Sequence, residues 1–89
     1  MLMFDSDWRR RWFAAQTINT TNTPRVVDAM IYALRDNYKN VRLEATQYLG
    51  RFRVARALPE LERLAGKWFE DKGVKESARF AIRRIKGQE

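Results

Sequence analysis

Four cations of this chain are spaced to act together. Lys75, Arg79, Arg83 and Lys86 recur at i, i+4, i+8 and i+11, which places them on one face of a helix. Arg51, Arg53 and Arg56 crowd into a second set upstream. Such cations suit contact with phosphates, a kind of binding that ignores base sequence and falls steeply with salt. The plainer reading of both sets is a solvated face that keeps a small protein in solution. No zinc-ligand spacing, basic zipper or RNA-binding aromatic motif accompanies them.

The run Trp8-Arg9-Arg10-Arg11-Trp12-Phe13 is the second candidate. Trp8 and Trp12 share a helical face, and Trp and Arg are the residue types most enriched in binding hot spots. Trp8, Arg9, Trp12 and Phe13 are therefore candidate contacts to a protein partner, and Trp68-Phe69 invites the same question. Against this stands an end cap whose tryptophans cover the core, the favoured reading for Trp12. The acid pairs Asp5 and Asp7, Glu60 and Glu62, and Glu70 and Asp71 could hold a metal or exchange protons. No nucleophile or third ligand joins them at a convincing spacing, so they read as surface charge balance. The chain has no histidine and no cysteine. The commonest general base, the commonest transition-metal ligand and every thiolate site are thereby excluded. The expectation is a protein that is not an enzyme, with no cofactor, metal or small-molecule substrate.

The elements that must position these residues are helical. Ser6 or Asp5 can cap a first helix over 6–18, with Trp8, Trp12, Ala15 and Ile18 on its apolar face. A polar loop ends in Thr23-Pro24, a good start for a helix over 24–35 that buries Val26, Val27, Met30, Ile31 and Leu34. Asn40 can cap a third helix over 40–51, followed by a fourth over 55–70 and a fifth over 73–86 that Gly87 ends. No segment alternates with period two over strand length, so no sheet is expected.

Self-similarity decides the arrangement of these helices. Val41, Ala45, Leu49 and Phe52 fall on Val74, Ala78, Ile82 and Ile85, each 33 residues on. A weaker copy lies 31 residues upstream, where Asp5, Arg11, Ala14 and Ile18 fall on Asp36, Arg42, Ala45 and Leu49. A period near 30 residues marks a repeat architecture. The expected fold is all-α, a short α-α superhelix of about five antiparallel helices in a single domain over 1–89.

The order Asp36-x4-Val41-Arg42-x2-Ala45-x3-Leu49-Gly50-x-Phe52, followed by Ala57-Leu58-Pro59-x-Leu61, resembles HEAT-like repeats of the phycobilisome-lyase type. The resemblance covers roughly residues 24–86, and 5–20 more weakly. It implies a solenoid in which Asp36 and Arg42 tie one repeat to the next. Small Ala45 and Ala78 would let helices approach closely, and Gly50 can take the left-handed conformation that ends a helix. A chromophore-lyase role is implied only by the family, and this chain is far shorter than a bilin cradle should need.

Formal net charge is +7; residues 1–44 contribute +2 and residues 45–89 contribute +5. That excess favours acidic partners. No run approaches the ~18 apolar residues of a membrane helix, and the acids and arginines near the start do not suit a signal peptide. A cytoplasmic, soluble protein without membrane insertion is expected. The leading functional expectation is a module for protein–protein interaction or assembly, through another protein or a homodimer. The alternative is a nucleic-acid-binding domain acting through the C-terminal cations.

Overall fold

The computed structural model describes residues 7–17 and 23–87, with the backbone alone over 13–17. Among these residues there are five α-helices and no strand: α1 Trp8–Thr17, α2 Pro24–Ala33, α3 Lys39–Arg51, α4 Leu58–Gly66 and α5 Lys72–Lys86. A 3-10 turn, Ala55–Ala57, leads into α4. The all-α expectation holds, and the helices pack as a short α-α superhelix. One layer holds α1, α3 and α5 side by side, with α3 in the middle; α2 lies behind α3 and α4 behind α5. The slab measures 33 × 30 × 16 Å between its Cα extremes.

Local chemistry sets the helix ends. Thr23 accepts the Val26 N–H through Oγ1, and Pro24 fills the first helical position, where its missing N–H costs nothing. Asp71 accepts the Val74 N–H at 3.1 Å and caps α5, which starts at Lys72, one residue before the expected 73. Gly87 closes α5 with φ 73, as expected. Asn40 does not cap α3. The helix starts after Tyr38, whose N–H is taken by Asp36 Oδ1 at 3.0 Å. The expected caps Asp5 and Ser6, and Ile18 and the side chain of Ala15 on the predicted apolar face of α1, lie outside the described residues.

Two further expectations are corrected. Gly50 is not in the left-handed region. It lies inside α3, and a Cβ there would stand 2.9 Å from Ala81 Cβ and 3.0 Å from Ala81 Cα. Its role is to let α3 and α5 cross almost in backbone contact, and Arg53, with φ 49, makes the left-handed turn. The fourth helix is shorter than 55–70. It ends at Gly66, where Lys67 turns extended with ψ 117, so Trp68 and Phe69 lie in the following turn.

The core follows most of the predicted positions, though Val26 and Ile31, expected buried, are only partly so. Val27, Met30 and Leu34 of the α2 segment, Val41, Ala45, Tyr48 and Leu49 of α3, Leu61 and Leu64 of α4, and Val74, Ala78 and Ala81 of α5 are buried together. Trp12, Phe52, Ile82 and Ile85 pack on this core while keeping part of their surface in solvent.

Ion pairs then tie the end of α2 to α4. Arg35 grips Glu60 with two hydrogen bonds of 3.1 and 2.7 Å, and Arg63 adds a third at 3.2 Å. The Arg35 hydrogen bond holds the Glu60 carboxyl below the usual carboxylate range, and the Val74 N–H does the same for Asp71. Both groups are more acidic folded than unfolded. Their stabilisation is therefore present above the ordinary values of 4.5 and 3.8 and disappears as pH falls through the lower folded ones. Urea midpoints measured from about pH 7 down to about pH 2.5 should stay level above the carboxylate range and drop below it.

Candidate interaction surface

The repeat positions come first, because they hold everything else. Asp36 sits in the α2–α3 turn and takes Arg11 of α1 through both carboxylate oxygens, with Nη2 to Oδ1 at 3.0 Å. Beside them Trp8 stacks on Tyr38, ring centroids 5.1 Å apart, and the Arg11 guanidinium lies 5.7 Å from the same ring. Arg42, on α3, donates to the Asp36 carbonyl at 2.8 Å and to Glu70 Oε1 at 2.7 Å. Each inner helix thus sends an arginine forward to an acid in the turn before the next inner helix. Val41, Ala45 and Leu49 are fully buried beneath these links.

Glu70 was expected to be surface charge and is instead the most deeply placed acid of the joint. Its side chain is 1% exposed, against 16% for Arg42. Glu70 stands for Asp36 in the next repeat, displaced by the longer α4–α5 turn; that displacement hid the match.

The two cationic sets separate in space and in their partners. Arg56 leaves the upstream set to pair with Asp28 on α2. Arg51 points instead along a depression between α3 and α5 of about 240 Å³, which Gln47, Phe80 and Arg84 also line. Its floor is the Thr46–Ser77 hydroxyl pair, 2.6 Å apart. Arg53 is exposed in the turn. On α5, Lys86 reaches Glu62 at 3.2 Å. Arg79 and Arg83 are exposed and Lys75 half-buried, and none of the three forms an ion pair among the described residues.

The aromatic candidates also divide. Trp8 and Trp12 are half-buried, Trp8 on Tyr38 and Trp12 against the core. Arg9 is exposed and bound to Asp7. The Phe13 side chain lies outside the described residues. Trp68 and Phe69 are 86% and 67% exposed, edge to face at 5.5 Å, with Lys67 Nζ 4.8 Å from the Phe69 ring. Phe80, 56% exposed, was missed because its place in the repeat is held by polar Gln47 in the preceding copy.

Among the described residues no three acids gather where a metal could bind, and no helix is long and apolar enough to cross a membrane. A family model for HEAT repeats matches residues 1–83. No curated protein matches the chain.

Proposed function

Because the chain belongs to the HEAT-repeat family, whose repeats generally serve as protein-interaction scaffolds, we propose that it works without catalysis, by holding another protein. One observation carries this reading: Trp68 and Phe69 stand in solvent, packed edge to face on each other. Burying a large exposed aromatic side chain is worth roughly 1.5–3 kcal/mol, and tryptophan is the commonest anchor of binding hot spots. Within the family, the order Asp36, Val41, Arg42, Ala45, Leu49, Gly50 supports the phycobilisome-lyase type of repeat.

The nucleic-acid reading would use Arg51, Arg53, Arg56, Lys75, Arg79, Arg83 and Lys86. Arg56 and Lys86 are engaged with Asp28 and Glu62 in the folded chain, which weakens it. A pull-down from cell extract, with and without nuclease, separates the two. Wild-type chain should retain protein after nuclease treatment, and Trp68→Ala with Phe69→Ala should lose it while its melting temperature stays unchanged. Capture abolished by nuclease would instead favour the nucleic-acid reading. Solution mass measured over a concentration series identifies the case in which the retained protein is a second copy.

A further inference from the structure

We propose that the end of the stack formed by the outward register of α5 and the Trp68–Phe69 turn is a docking seat for an acidic helix of another protein. The proposal rests on the interaction-module reading and says which face is used and what it takes. The repeat itself shows how such a seat works. On α3, Thr46 meets Ser77 and Gly50 meets Ala81, so these positions face the next helix, while Arg42 reaches forward to Glu70. The residues 33 positions on are Arg79, Arg83 and Lys75. The same shift carries Arg35, which reaches forward from its turn to Glu60, onto Trp68. These four forward-reaching positions of the central repeat are thus unpaired cations or an exposed aromatic in the last one.

Charge selects the occupant. A second copy would bring either this end or the opposite one, which exposes Arg10 of α1 and Arg25 of α2 beside Arg9, already bound to Asp7. Both encounters set cation against cation, which costs binding energy. An acidic helix meets no such penalty. Lys75, Arg79 and Arg83 rise by one turn each, about 6 Å, the spacing at which carboxylates recur on a helix at i and i+4. Arg42, at the register of Lys75, already takes a carboxylate across the preceding joint. The exposed Trp68 and Phe69, in the turn just before α5 begins at Lys72, supply apolar area.

The test titrates the full chain into a fluorescein-labelled synthetic helical peptide bearing Glu at i and i+4 with leucines beside them. A peptide with Gln in place of each Glu, and a labelled DNA duplex, are run in parallel across a salt series. The Glu peptide should bind and the Gln peptide should not. Arg79→Glu with Arg83→Glu should weaken binding roughly tenfold or more, Trp68→Ala about fivefold, and Arg51→Glu should leave it unchanged. These positions are exposed, so circular dichroism should match wild type; Arg79→Ala with Arg83→Ala repeats the test without charge reversal. No binding of the Glu peptide at low salt, equal binding of the Gln peptide, or equal loss on Arg51→Glu would overturn the proposal. So would tighter binding of the duplex at physiological salt, lost through the same two arginines. In the nuclease-treated pull-down, full retention by the Arg79→Glu, Arg83→Glu variant would overturn this seat and leave the interaction-module reading standing. Loss of all retention by wild type would remove both.

Discussion

Replacing Arg42 by methionine is expected to cost the fold about 3–5 kcal/mol, a large part of the total for a chain of this size. The guanidinium does two jobs that a thioether cannot. It satisfies the Asp36 carbonyl at 2.8 Å and neutralises Glu70, whose side chain is 1% exposed. Without it a carboxylate stays buried with no counter-charge, which costs more than the pair contributes in net terms. The pair is also imperfect, since Arg42 Nε and Glu70 Oε2 are buried without a hydrogen-bond partner. Glu70→Met added to Arg42→Met should therefore recover much of the loss. Urea unfolding of both single variants and the double gives the coupling directly. Additive costs would mean that the link between the repeats is not electrostatic.

Gly50→Val is expected to destabilise by about 3 kcal/mol or more. The first added carbon already lies 3.0 Å from Ala81 Cα, which is backbone and cannot rotate away. The two γ-carbons of valine force α3 and α5 apart along their whole contact, and overpacking of this kind typically costs about 1–3 kcal/mol per site before the opened contact is counted. Alanine makes the informative comparison. It gains up to ~1 kcal/mol of helix propensity over glycine and meets the same first clash. Gly50→Ala should thus be much milder than Gly50→Val, and Gly66→Ala, with nothing within 4 Å of the added carbon, should be neutral or stabilising. Thermal midpoints of the three variants rank them; Gly50→Val melting level with wild type would mean the helices do not cross that closely.

The helical period made α3 and α5 legible, because Val41, Ala45 and Leu49 and their counterparts Val74 and Ala78 each return to the core every turn. Boundaries were less so: the apolar Trp68 and Phe69 extend the pattern of α4 past Gly66 although the backbone has already turned. Gly50 misled for a different reason. A glycine near a helix end reads as a cap, and only the crossing with Ala81, 31 residues away, shows that it is there for contact. Glu70 was hidden by its neighbour. Asp71 took the eye as half of an acid pair, whereas one acid caps α5 and the other receives Arg42 from the preceding repeat. At the candidate surface, residue types and helical spacing marked the cations. Which of them were engaged depended on acids 24 to 28 residues distant, and no local pattern carries that.

A slab 16 Å thick between Cα extremes is two helix layers deep. Its broad face, 33 by 30 Å, compares with the roughly 800 Å² that one partner contributes to a standard protein interface. A thin two-layer stack of this kind thus offers a partner area on two broad faces and two ends.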